Sequence, residues 1–163
     1  MIHLRTMDWE RFVDDEVHRH YWDHDDTCAV TTLIIASRLF KTPLEPQVGE
    51  AALGMWGAGG YRAQCGLVEG ALMFIGVLGG RRGLNRSEIS RLCKSFAESF
   101  AGEFGSLICR ELRPQGFTPG QPAPHLRRSV QAGDRFHHQV CLRRFWDRTD
   151  SAGAPTINRT ACL

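Results

Sequence analysis

The sequence predicts an all-α protein, a bundle of five to six helices with a proline-rich loop before a C-terminal helix. Three observations predict it. Apolar residues recur at spacings of three and four in one segment after another, the period of a helix face. No segment sustains the apolar–polar alternation of a half-buried strand. Capping residues, glycines and prolines fall between the periodic segments.

The first helix is expected over Asp8 to Trp22. Trp9, Phe12, Val13, Val17 and Tyr21 form its apolar stripe, and Asp8 is placed to cap it. Its end is dense in imidazoles, and His20 and His24, four apart, can share a face as metal ligands do. Asp25-Asp26-Thr27 reads as the cap of a second helix, Cys28 to Lys41, stopped by Pro43. A third runs from Glu45 to about Trp56, before the glycine-rich break Gly57 to Gly60. That break follows no strand and lacks the spacing of a dinucleotide loop.

Cys65 to Leu78 is expected as a fourth helix, apolar on all sides and therefore central to the bundle. Gly66 and Gly70 leave one of its faces bare, open to a neighbouring helix or to a cofactor. Asn85 is placed to cap a fifth helix reaching about Glu103, with Ile89, Leu92, Cys93, Phe96 and Phe100 in register. A short sixth is expected over Ser106 to Arg113. Residues 114–135 carry four prolines and read as a loop. Arg135 to about Arg148 reads as a last helix. The chain is thus expected to be one domain over residues 1–148, with a disordered tail over 149–163.

Composition narrows the function. The chain has 163 residues and a net charge of +2. Residues 1–30 hold eight acids against three arginines, and residues 110–163 hold nine arginines against four acids. This polarity suits two ends that attract each other. No groove-reading motif accompanies the basic end, so no nucleic-acid partner is expected. The longest apolar run, Gly70 to Leu78, is far short of the roughly 20 residues that span a bilayer. The opening residues lack an apolar signal region, so a reducing cytoplasm is the expected setting. No G-x-S-x-G occurs, which argues against a serine hydrolase.

Six cysteines exceed what a core of this size needs. None lies in a C-x-x-C, which argues against zinc ribbons, thioredoxin-like dithiols and covalent haem. Cys28, Cys65 and Cys109 fall at or near predicted helix starts, where unpaired N–H groups favour thiolate and lower the thiol pKa. Cys93 sits among apolar neighbours in mid-helix and reads as packing. Cys162 lies in the tail. From the residues alone, Cys28, Cys65, Cys109 and Cys141 suit a metal site, thiol–disulfide chemistry, or ordinary core thiols in a non-catalytic adaptor. His137 and His138, just before Cys141, are candidates for a proton relay or a fifth ligand.

Cys65-Gly66-Leu67-Val68-Glu69-Gly70 resembles the C-G-A-x-x-G motif of a redox-active protein family defined by four ordered cysteines. The first cysteine resembles Thr27-Cys28-Ala29, the third Gly105-Ser106-Leu107-Ile108-Cys109, and the fourth His137-His138-Gln139-Val140-Cys141. Leu67 departs from the motif's alanine, and Thr27 from its usual asparagine. The resemblance covers about residues 15–148. It implies redox activity or cluster binding, and it extends to the four-cysteine region of split-Soret cytochromes, which is associated with a non-haem iron–sulfur centre. It implies Cys28, Cys65, Cys109 and Cys141 as metal ligands, with [2Fe–2S] first, zinc second and no haem. Gly66, Gly70 and Arg110 would line the cofactor. In a metal-free alternative, Cys28 and Cys65 would be the catalytic dithiol. The implied partners are a redox protein, a functional link to a transporter, and a second copy of the chain.

Overall fold

The computed structural model describes residues 9–114 and 116. The proline-rich stretch expected over 114–135, the helix expected over 135–148 and the tail therefore lie almost wholly outside the described residues. So do Cys141, Cys162, His137 and His138.

The described part is helical, with six α-helices and no strand. They are α1 (Trp9–His18), α2 (Cys28–Leu39), α3 (Pro46–Ala51), α4 (Gly66–Arg81), α5 (Arg86–Phe104) and α6 (Cys109–Leu112). Helix α4 is central, packed between α2 and α5, while α1 rests on α2. Val68, Ala71, Phe74 and Ile75 of α4 are fully buried. They meet Ala29, Leu33 and Ala36 of α2 and Leu92, Phe96 and Phe100 of α5 in one apolar core. Phe40, just past α2, packs its ring on Phe74 at 5.5 Å. An aromatic file along α5 continues the core, with Phe100 and Phe104 at 4.5 Å. Truncating a ring buried as Phe74 is typically costs about 3–5 kcal/mol. None of the described helices is long and apolar enough to cross a membrane.

The helix ends refine the expectations. The first expected helix does not run regularly to Trp22, because α1 gives way to a π-helical turn over Arg19–Asp23. The third stops at Ala51, and the chain continues in turns to Tyr61. Gly57, Ala58, Gly59 and Gly60 all have positive φ, so no helix resumes through the break. Helix α4 runs three residues beyond Leu78, through Gly79 and Gly80. A Cβ on Gly79 would stand 2.8 Å from the side chain of Ile89 in α5, so the glycine serves helix contact rather than a stop. Asn85 caps α5 as expected, in a full capping box with Glu88, and Gly105 ends that helix at φ 82°. The sixth helix is shorter than expected. Ile108 is extended and pairs with Gln64, so helical geometry begins only at Cys109.

Candidate functional site: three cysteines and Arg113

Each of three cysteines is held by a different local device. Cys28 is the first residue of α2, behind the cap Thr27, whose hydroxyl accepts from the Val30 N–H. Cys65 is the N-cap of α4, and Cys109 is the first residue of α6. The last two are tied together through the backbone. The Cys65 N–H donates to the Leu107 carbonyl at 2.8 Å, and the Cys109 N–H donates to the Ala63 carbonyl at 2.6 Å. Gln64 and Ile108 thus pair like a fragment of antiparallel sheet, with a cysteine following each.

Glycines set the approach of the remaining elements. A Cβ on Gly66 would lie 2.8 Å from the Cys28 Cβ and 2.7 Å from the Met55 carbonyl oxygen. A Cβ on Gly70 would lie 2.5 Å from the Ala29 carbonyl oxygen. The bare face of α4 is therefore filled by α2. Gly66 borders the thiol site, whereas Gly70 faces helix backbone. On the other side, a Cβ on Gly57 would come within 3.4 Å of the Cys109 Cβ, so the glycine loop closes over that cysteine. The loop is anchored by its Gly57 N–H, which donates to Glu69 at 3.4 Å.

All three thiols are desolvated. Burial pushes the Cys65 thiol up to about 12, although the Leu67 and Val68 N–H groups at the start of α4 favour its thiolate. Burial likewise raises the Cys28 and Cys109 thiols. The sequence argument from helix starts predicts lowered values. The structure corrects this, because loss of solvent outweighs the few N–H groups that face each sulfur.

Two further groups join the thiols. The Tyr21 hydroxyl is buried and lies close enough to the Cys28 thiol to favour its thiolate. Its own ionisation is pushed well up by burial and by Cys28. Arg113 is buried, and its guanidinium lies in the electrostatic field of Cys28, Tyr21, Cys109 and Cys65. Burial lowers its pKa, while those four groups oppose the shift. Arg110, the arginine singled out beside Cys109, is instead exposed. Sequence reasoning missed Arg113 and assigned Tyr21 to the apolar stripe of the first helix. A signal for the arginine was available: Arg113 is four residues past Cys109, one helical turn along the same face. Arg62 braces this end by donating to the Arg113 carbonyl oxygen.

The three thiols are in mutual electrostatic reach, with Cys28, Cys65 and Cys109 each influenced by at least one of the other two or by their shared arginine. They are free thiols. The three sulfurs do not all lie within 4.8 Å of one another. A four-coordinate zinc with Zn–S bonds of about 2.3 Å would hold its sulfurs roughly 3.8 Å apart. A two-iron cluster takes its thiolates in two pairs, one pair per iron, and needs a wider cage. Soft sulfur donors of this kind are ligands of both zinc and iron–sulfur sites. Cys93 stands apart on α5, its thiol directed at the Leu72 carbonyl at 3.9 Å.

Comparison with known proteins gives one family. Residues 27–143, well over half the chain, match the model of the family described as "Putative redox-active protein (C_GCAxxG_C_C)". The matched span contains Cys28, Cys65, Cys109 and Cys141 and leaves out Cys162. Neither the curated proteins nor the solved structures returned a match.

Proposed function

The chain belongs to the redox-active C_GCAxxG_C_C family, and on that premise we propose that it is a small electron carrier binding a [2Fe–2S] cluster. Cys28, Cys65, Cys109 and Cys141 would be the ligands. The observation that supports this reading is that three cysteines from three separate helix starts, two buried and one partly buried, share the electrostatic field of one buried arginine. Soft thiolate donors in a site closed to water suit iron–sulfur chemistry.

A bound cluster would supply a one-electron couple. The chain's residues do the rest. Each thiol would give up its proton on ligation, and the charge of the metal would then stabilise a thiolate that burial alone disfavours. Arg113 offsets the negative charge that four thiolates bring into a desolvated site. The Leu67 and Val68 N–H groups and the Tyr21 hydroxyl direct positive dipoles at Cys65 and Cys28. Such hydrogen bonds to sulfur are among the levers that set a cluster's potential. The glycine loop over Cys109 excludes water.

The second reading is thiol–disulfide exchange by Cys28 and Cys65, favoured by the close approach of Cys28 to Gly66, the neighbour of Cys65. It ranks lower because burial holds both thiols protonated, and the thiolate is the attacking form. Anaerobic purification separates the two. The cluster reading expects a brown protein with about two iron and two acid-labile sulfide per chain. Colourless protein that takes up no iron on reconstitution, and loses two titratable thiols on mild oxidation, would replace it with the dithiol reading.

A further inference from the structure

We propose that His20, His24 and Asp26 form a second metal site, separate from the cysteines, for a divalent first-row transition ion of the zinc class. The π-helical turn over Arg19–Asp23 carries the first histidine, and the second follows that turn directly. Asp25 then takes a positive φ of 54° and turns the chain back, and the Asp26 N–H donates to the His20 carbonyl at 2.8 Å. The Asp26 carboxylate arrives 2.7 Å from His20 Nδ1 and 4.0 Å from His24 Nδ1. Donor atoms of all three residues lie within 4.8 Å of one another. Two imidazoles and one carboxylate are a zinc-type ligand set.

A second observation, on the other side of His20, points the same way. His20 is only 3% exposed. Its Nε2 has no hydrogen-bond partner and faces the Glu16 carboxylate at 3.5 Å. Glu16 is itself buried, paired with Arg38 and, at 3.0 Å, with Arg19. Both ring nitrogens of a buried imidazole thus look at carboxylates. In the metal-free chain Nδ1 and Asp26 share a hydrogen bond; an ion that replaced that proton, with the carboxylate drawn back slightly, would leave Nε2 to carry an N–H directed at Glu16. Metal-ligating histidines characteristically direct their second nitrogen at a carboxylate in this way. His24 is 55% exposed and Asp26 21%, so the open side of the site admits water as a fourth ligand. The exposed His24 ring can also close the remaining distance. An ion there would clamp the segment joining Tyr21 to Cys28.

Cobalt(II) titration of the full, reduced chain tests this. The expected result is one cobalt with the weak visible bands of nitrogen and oxygen ligation, distinct from any thiolate-to-cobalt charge transfer that cobalt at the cysteines would add. His24→Ala, at an exposed position, should keep the helical circular dichroism and weaken that binding at least about tenfold. Cys28→Ser with Cys65→Ser should leave it intact. Equal binding by His24→Ala, or loss of the site with the cysteines, overturns the proposal. So does the absence of any nitrogen- and oxygen-ligated cobalt, which would leave His20 as a hydrogen-bonded structural histidine.

Discussion

Gly66 and Cys28 meet so closely that a methyl group on Gly66 would lie 2.8 Å from the Cys28 Cβ. The Met55 carbonyl oxygen, 2.7 Å away on the same side, is backbone and cannot swing clear. Gly66→Ala is therefore expected to lower stability by about 1–3 kcal/mol and to displace Cys28. Gly76, in the same helix, has nothing within 4 Å of its missing Cβ. Gly76→Ala should stabilise the helix by about 0.5–1 kcal/mol. Thermal denaturation of the two variants checks the contrast, which helix propensity alone would not produce.

Arg113 is the cation buried with the thiols, whereas Arg110 is exposed. Arg113→Gln should weaken metal or cluster retention by about tenfold or more, the usual cost of losing an outer-shell partner. It should also make the couple more negative, because a positive charge beside the site favours the reduced form. Arg110→Gln should change neither property. Iron content and a redox titration of both variants provide the check.

The metal-free chain should lose stability in alkali. An unfolded cysteine ionises around 9.0, whereas folded Cys65 holds its proton to about 12. The folded state therefore binds more protons above pH 9. Stability from the buried neutral thiol is fully present below the unfolded value and declines as pH rises toward the folded one. The slope is at most about 1.4 kcal/mol per pH unit for each such thiol. Cys28 and Cys109 shift in the same direction and add to it. Urea denaturation of reduced, metal-free protein between pH 7 and about 10.5 measures this. A midpoint that stays constant above pH 9 would contradict it.

Cys93, on α5, directs its thiol at the Leu72 carbonyl of α4. Cys93→Ala should leave iron content and thiol redox behaviour as they are, with a stability loss of no more than about 1–2 kcal/mol. Cys109→Ala should abolish cluster retention. Iron assay and circular dichroism on the two variants distinguish a packing thiol from a ligand.

Much of the fold was legible because helix signals are local. The Asn85 capping box, the Thr27 cap and the all-round apolar α4 each announce themselves within a few residues. The π turn at Arg19–Asp23 was not legible, since its ladder has no residue signature distinct from an ordinary helix end. The end of α4 was misplaced for a related reason: Gly79 reads as punctuation until Ile89 of α5 is known to need its space.

The sequence by itself determined the helical class and the set of cysteines worth following, because period and residue type are written along the chain. Only the tertiary structure decided which cation lies buried with the thiols and in which direction their ionisation moves. Helix starts favour thiolate locally, but burial depends on α2, α4 and the glycine loop closing together. Desolvation from that closure outweighs the local N–H groups, so the sign of the shift belongs to the fold rather than to the motif.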